Sequence, residues 1–440
     1  MSVQEILRFA EHLFLVKTGE PMDDLEQEIL REAFQGQKYA KIAQERDLTE
    51  GHVRDTASQL WKILSEALGE NIKKSNVRST IERFYYSNIY HFGHDIVHIG
   101  DIKVCSQGSP VAKSSEEKQK PPQIDLGLAP EVSCFYGRRE ELETLESWVS
   151  GSRLILLLGL PGIGKTSLAL KLIDRIQTQF DRILYYSLQF SPPLTATLTH
   201  LLQVLTDSEE VPHELEAQHE ALLKALKRDR LLILLDDLQT LFAPQQSAGH
   251  YLPNLENYRT FFQLLGQVPH QSCIILISDE QPKEPKISPI LRLNGLGNHT
   301  TDIFRHYQLL DEEDWETLSH RYHHHPLWLT GVSQLIQDLF QGNVRQFLEQ
   351  DILLIDSIQD QYQRRFNRLS DLEQELLQDM AQFSAPVGLG DLLKGRSQPA
   401  TIILHTLQSL QRRLWIETVE TPQFTLSPLT MNYLKLIARQ

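Results

Sequence analysis

Arg153-Leu-Ile-Leu-Leu-Leu-Gly-Leu-Pro-Gly-Ile-Gly-Lys-Thr-Ser-Leu-Ala-Leu170 decides how the rest of the chain is read. The aliphatic run Leu154 to Leu158 has the pattern of a parallel strand buried on both faces. It ends in Gly159-Leu-Pro161-Gly162-Ile163-Gly164-Lys165-Thr166-Ser167, which satisfies G-x-x-x-x-G-K-[ST]. Glycines at these positions let backbone N–H groups curl around phosphate oxygens, and the following helix aims its positive end at them. Lys165 has the length to reach β and γ phosphates, and the Thr166 hydroxyl is placed to ligate Mg²⁺. A Gly-rich turn that binds nothing is the alternative. The order strand, loop, Lys-Thr and amphipathic helix (Leu168 to Ile176) favours the phosphate reading, with a nucleoside triphosphate or diphosphate and Mg²⁺ as ligands.

Two more stretches extend the pattern. Leu231-Leu-Ile-Leu-Leu-Asp236-Asp237 is a second buried strand ending in paired acids. After a phosphate loop such acids suit Mg²⁺ (Asp236, through water) and the attacking water (Asp237), which makes Lys165, Asp236 and Asp237 the candidate catalytic set. Two acids there could instead only cap a helix. Cys273-Ile-Ile-Leu-Ile277 reads as a third buried strand. Together they predict a P-loop NTPase with a parallel sheet, within a multidomain α/β chain. Phe135-Tyr136-Gly137-Arg138 precedes the loop strand as a turn into an amphipathic helix.

Composition narrows the setting. The chain has 440 residues, enough for two to four domains, and 41% apolar content, enough for folded cores. A net charge of −15 opposes phosphate polymers over the surface as a whole, so any nucleic-acid contact needs a local patch. Cys105, Cys134 and Cys273 are odd in number and far apart, as in a reducing cytoplasm. No apolar run approaches the ~18 residues of a membrane helix, so no membrane partner is expected.

Residues 1–85 read as a helix-turn-helix domain. Helical patterns cover Asp23 to Phe34, Tyr39 to Glu45 and the stretch after the N-cap Thr49. Val53, Ala57, Leu60, Trp61 and Leu64 share one face of the last helix. His52, Arg54, Asp55, Ser58, Gln59 and Lys62 face outward, and His52, Arg54, Gln59 and Lys62 are the candidate contacts to DNA or to a protein partner. The segment resembles the N-terminal helix-turn-helix of bacterial signalling ATPases tied to von Willebrand A–MoxR systems, through Lys17-Thr-Gly19, Tyr39 to Ala43, Gly51 to Asp55 and Leu60 to Gly69.

Residues 86–130 divide into a β-like strip and a polar, turn-rich stretch expected to be a flexible linker. His91, His94, His98 and Asp95 invite a zinc reading, but without cysteines packing histidines are the plainer account.

Beyond the expected nucleotide-binding domain (131–295) come a helical lid (296–350) and a C-terminal domain (351–440). In the latter, Ser370 and Glu373 have the spacing of a capping box. Helical patterns at Pro386 to Leu393 and Thr401 to Leu410, then short strands flanking Thr421-Pro422, predict a winged helix. Gln411-Arg-Arg413 reads as a solvated or interdomain basic trio.

At this point the chain resembles the NB-ARC branch of the STAND signal-transduction ATPases. The carriers are Phe135 to Arg138, Gly159 to Ser167, Leu231 to Asp237, Leu293-Asn-Gly-Leu296 and His325-Pro-Leu327. The resemblance implies that Tyr136, Gly137 and Arg138 lie by the adenine and that Pro326 touches the nucleotide from the lid. It departs from the family twice. Asp279 stands where a γ-phosphate-sensing arginine is usual, and Ser427 where a histidine locks the ADP state. The implied function is a nucleotide-dependent switch with slow ATP hydrolysis, coupling ADP or ATP to the helix-turn-helix in signalling, transcription or defence. A nucleotide-controlled DNA-binding regulator and a scaffold holding structural ADP are the alternatives. The repeat array that usually follows is not seen, so a separate sensor protein is expected, with ATP-driven homo-oligomerisation as a further possibility.

Overall fold

The computed structural model describes most of residues 10–81 and 122–440; residues 1–9, 12, 15–16, 19–21, 35–38, 47, 69–71, 75, 79, 82–121, 133, 207–210, 284–286, 351–352, 384, 395, 397, 420–422 and 439–440 lie outside the description. The histidine strip, Gly19 and Cys105 therefore fall outside it.

The N-terminal part contains α1 (Asp24–Phe34), α2 (Tyr39–Glu45) and α3 (Glu50–Leu68). Val53, Ala57, Leu60, Trp61 and Leu64 of α3 are buried with Ile29, Leu30 and Phe34 of α1 and Ile42 of α2. The Thr49 hydroxyl accepts from the His52 amide at 3.2 Å, capping α3.

The central part is a parallel six-stranded sheet in the order β1 (Gln123–Asp125), β3 (Arg182–Ser187), β4 (Leu231–Asp236), β5 (Cys273–Ser278), β2 (Leu154–Gly159), β6 (Ile290–Leu293). Strand alternation divides its aliphatics between two cores. Leu154, Leu156, Leu158, Ile233 and Leu235 pack with α6 (Leu194–Thr206), α7 (Leu215–Arg228) and α8 (Asn257–Gln267). Ile155, Leu157, Leu232, Leu234 and Ile275 pack with α4 (Arg139–Val149) and α5 (Lys165–Ile176). The sheet is thus covered on both faces, which is why its central strands read as unbroken apolar runs. Because β5 lies between β2 and β4, its carboxyl end falls between the phosphate loop and the paired acids. The structure corrects the expected linker at its end: residues 123–125 pair with β3 as an edge strand. It also adds β3 and β6 to the three strands read from sequence.

The remaining residues form α9 (Thr300–His306), α10 (Trp315–Arg321), α11 (Pro326–Phe340), α12 (Val344–Leu348), α13 (Asp356–Asn367), α14 (Asp371–Met380), β7 (Val387–Gly388), α15 (Leu389–Leu393), α16 (Ala400–Arg412), β8 (Glu417–Thr418), β9 (Gln423–Thr425) and α17 (Pro428–Ile437). The capping box of Ser370 and Glu373 forms at α14. The small antiparallel sheet runs β7-β9-β8, so Val387 and Gly388 are strand and not the start of a helix. One apolar core runs from Leu296 through Trp328, Tyr362 and Trp415 to Leu434 and continues across residue 350. Tyr136 and Leu160 pack against it, which brings the helical part onto the phosphate loop.

Candidate nucleotide-binding site

The loop Gly159 to Gly164 joins β2 to α5 with positive φ at Gly162 (78°) and Gly164 (95°), conformations that favour glycine. The first amides of α5, at Lys165, Thr166 and Ser167, have no partner within the helix and are left able to donate to an anion. The Lys165 ammonium donates to the carbonyls of Gly159 and Leu160, both at 3.0 Å. Among the described residues no carboxylate forms an ion pair with it. Burial pushes its pKa down, opposed by the charges of Asp279, Asp236 and Asp237. A half-buried ammonium resting on neutral carbonyls suits an incoming phosphate.

Thr166 Oγ1 donates to Asp236 Oδ2 at 2.6 Å, and the Tyr185 hydroxyl donates to the same oxygen at 3.1 Å. Ser187 Oγ donates to Asp237 Oδ2 at 2.7 Å and Gln239 Nε2 to Oδ1 at 3.3 Å. Asp237 sits at φ 60°, turning its carboxylate off the strand direction. Desolvation and the neighbouring Asp236 push its pKa up to about 7. A hydroxyl and a carboxylate in contact at the loop are a donor set that fits Mg²⁺: Thr166 and Asp236 would hold it, and the ion would neutralise phosphate charge when bound.

Arg138, at φ 62° and buried, reaches under the loop. Its Nη2 donates to the carbonyls of Ile163 (3.0 Å) and Asn294 (2.6 Å), and its Nη1 pairs with Glu141 at 2.7 Å. It braces the loop from behind. Gly137 stands at φ 61°, with the His299 ring 2.6 Å from where a Cβ would lie. Tyr136 is partly buried against the helical core.

The helical part reaches the loop at two points. His325 caps α11, its Nδ1 accepting from the Trp328 amide at 3.4 Å, and Pro326 follows at the first helical position. Leu327 lies 2.2 Å from the position a Cβ would take on Gly162. From α13, Gln361 Nε2 donates to the Pro161 carbonyl at 3.1 Å and its Oε1 accepts from Trp328 Nε1 at 2.5 Å. Ser427 differs from expectation. Its hydroxyl accepts from the Thr430 amide at 3.2 Å and so caps α17 instead of being presented to a phosphate. Sequence reasoning missed Tyr185, Ser187, Gln239 and Gln361; the short aliphatic and aromatic run Ile183-Leu-Tyr-Tyr186 was the available signal for β3.

Away from this site, Glu316, His320 and His324 offer ligand-type atoms within 4.8 Å of one another. Glu316 and His320 are in contact at 2.9 Å on the surface, and His324 Nδ1 donates to the Gly297 carbonyl at 3.1 Å, so each side chain has a structural partner.

Residues 134–262, which carry the loop and the paired acids, match the model of the AAA ATPase domain. The central region is therefore similar to the AAA ATPase domain. Such a domain implies nucleotide binding, typically with Mg²⁺. Residues 1–84 match the N-terminal helix-turn-helix of vWA-MoxR associated proteins. An uncharacterised WD repeat-containing protein of Nostoc sp. is 36% identical over 340 residues, 71% of this chain. The chain spans only 27% of that relative's length. Among solved structures, a Walker-type ATPase of Pyrococcus abyssi aligns at 16% identity with a TM-score of 0.47, over 68% of this chain and 96% of its own. A STAND protein with a tetratricopeptide repeat sensor from Pyrococcus horikoshii aligns at 15% and 0.37, over 71% and 44%. No helix among the described residues is long and apolar enough to cross a membrane.

Proposed function

We propose that the AAA ATPase domain works as a nucleotide-dependent switch, in the manner of the NB-ARC branch of STAND ATPases. In this reading residues 131–295 bind Mg²⁺ with ATP or ADP, 296–350 act as lid and 351–440 as winged helix. The observation that carries it is the meeting of both helical segments on one phosphate loop: Leu327 against Gly162 from α11, and Gln361 on the Pro161 carbonyl from α13. A group added at the loop changes what those contacts meet, so nucleotide state biases the helical arrangement.

Lys165, the loop amides, Thr166 and Ser167 hold phosphate, Thr166 and Asp236 hold Mg²⁺, and Asp237 orients water for slow hydrolysis. Tyr136, Gly137 and Pro326 border the base, while Arg138 braces the loop behind it. Moving the arrangement from mostly closed to mostly open requires a differential affinity of about 5.5 kcal/mol between states. The output is the N-terminal helix-turn-helix, acting on DNA or a protein in a cytoplasmic setting, with a sensor partner and ATP-driven self-assembly as accompanying expectations. Asp279 and Ser427 favour a second reading, a scaffold that keeps ADP as a structural ligand, because neither supplies a cation to a phosphate.

Lys165→Ala tests the shared premise. The wild-type chain gains thermal stability with ATP or ADP, by mass action on the folded state, and the variant gains none. An equal melting shift in the two would remove the assignment. ADP that stays bound with no turnover would select the scaffold.

A further inference from the structure

The helical part carries a second group of chemistry-bearing side chains, apart from the phosphate loop. Glu316 and His320 lie one turn apart on α10, and His324 follows in the turn that leads into α11. One ligand-type atom from each of the three falls within 4.8 Å of the other two. Helical spacing alone does not bring in the third group, because α10 ends before it. The chain bends back through His323 and His324, at φ 54° and 53°, and the His324 amide donates to the Ser319 carbonyl at 2.8 Å. The His324 ring then stands 4.8 Å from the His320 ring, centroid to centroid, at 75°. Because a carbonyl only accepts, the His324 proton is on Nδ1, facing Gly297 at 3.1 Å, and the lone pair is on Nε2. A backbone carbonyl on one ring nitrogen is how a metal-binding histidine is ordinarily held in tautomer and orientation.

We propose that Glu316, His320 and His324 form a site for a divalent transition metal, with Zn²⁺ as the ion that fits best. Two imidazoles and one carboxylate suit Zn²⁺, whereas Mg²⁺ and Ca²⁺ take shells of oxygen. Ligand atoms around a tetrahedral Zn²⁺ stand ~3.3 Å apart, given bonds of ~2.0–2.1 Å. Glu316 and His320 already meet at 2.9 Å, and their side chains are 60% and 70% exposed, so both are free to turn and close the gap to His324. An ion between Glu316 and His320 takes the place of the imidazole proton on that line, and the proton moves to the other ring nitrogen of His320. Three protein ligands leave a fourth position for water. The ion ties α10 to the turn before Pro326. It also steadies the segment leaving β6, because the Leu296 amide donates to the His324 carbonyl at 2.8 Å. Binding at this site does not depend on the switch reading, and it is separate from the Mg²⁺ position at Thr166 and Asp236.

The test uses the full chain, stripped of metal with a chelator and titrated with Zn²⁺ by calorimetry. Wild type is compared with Glu316→Gln, His320→Gln, His324→Gln and His94→Gln. The wild type should take up an equivalent of Zn²⁺ at micromolar concentration or below, and each change within the cluster should weaken it by about tenfold or more. H94Q, which addresses the competing zinc reading of His91, His94 and His98, should leave that equivalent unchanged. Co²⁺ gives a second readout: the visible absorption of a four-coordinate complex should appear in the wild type and vanish in H320Q and H324Q. Zn²⁺ should also raise the melting temperature of the wild type and not that of H320Q. Glu316 and His320 are exposed, so E316Q and H320Q should melt like the metal-free wild type and keep the test decisive if H324Q fails to fold. Uptake only at millimolar concentration, uptake undiminished in E316Q and H320Q, or uptake lost in H94Q overturns the proposal, the first as an adventitious ion only.

Discussion

Arg413 and Glu280 face each other with Nε 3.4 Å from Oε2, each about 4% exposed. Arg413 Nη1 also pairs with Glu373 at 3.1 Å, and its Nη2 donates to the Gln246 carbonyl at 2.8 Å. Arg368 approaches Glu280 at 3.8 Å and donates to the carbonyls of Gln239 and Phe242. Glu280 Oε1 accepts from the Gly249 amide at 2.7 Å. The segments that follow β4 and β5 are thereby clasped to the C-terminal helices by buried Arg413, Glu280 and Glu373, with the partly exposed Arg368 at the edge.

Breaking such a clasp at one member strands the others. Arg413→Ala leaves Glu280 and Glu373 without their main counter-charge, and a loss of about 3–5 kcal/mol is expected. Urea unfolding should show a lower midpoint for R413A. Glu280→Gln in the same chain removes one stranded charge, so the double variant should lose less than the sum of the two singles. Strict additivity would mean that the pair does not hold the units together.

His325 makes stability depend on pH in one direction. It is 1% exposed, and burial, then the charge of Lys165, and then those of Arg365 and Arg138 push its pKa well below 6.5, against the Pro161 carbonyl, which raises it. The folded chain therefore binds the proton less readily than the unfolded one. Its contribution is complete above pH 6.5 and is lost as pH falls below 6.5 towards the folded value, at about 1.4 kcal/mol per pH unit for one proton. His325→Asn keeps an acceptor at the helix cap but does not titrate there. Melting curves between pH 5 and 8 should give a wild-type-minus-variant difference that shrinks on acidification. A flat difference would show that His325 is charged or exposed in solution.

How much of this could be read in advance follows from the range of the interactions. The phosphate loop was legible because its chemistry lies within nine consecutive positions, Gly159 to Ser167, each limited by backbone approach or charge. The acids Asp236 and Asp237 were legible as the end of an apolar run. The strand β3 was not, since Tyr185-Tyr186 breaks the aliphatic signal although both rings are buried. Arg368 and Arg413 carry no local pattern at all. Their partners are carbonyls and carboxylates distant in sequence, and a basic residue on an amphipathic helix reads the same whether it meets water or a buried glutamate. Ser427 misled in the other direction: a hydroxyl before Pro428 is a helix cap first, and alignment to a family motif hid that simpler role.

The N-terminal helix α3 gives a prediction of its own. His52, Arg54, Asp55, Ser58, Gln59 and Lys62 are all exposed, as the helical pattern required. Of the two cations on this surface, Arg54 already pairs with Glu50 at 2.7 Å, and elsewhere in the same region Lys17 lies 3.7 Å from Glu66. A duplex reader gains affinity by releasing counterions from phosphates, and a protein making six to ten such contacts loses roughly 10³–10⁵ between 50 and 200 mM salt. Two contacts, from Arg54 and Lys62, would give a loss of only about tenfold over that range. Docking to a protein partner is therefore the expected output. Fluorescence anisotropy with a labelled duplex at the two salt concentrations should show at most weak binding and a shallow slope, with Arg54→Ala and Lys62→Ala making little difference. A loss of a thousandfold or more, reduced by either substitution, would instead assign this helix to DNA, because only several phosphate contacts produce so steep a dependence on salt.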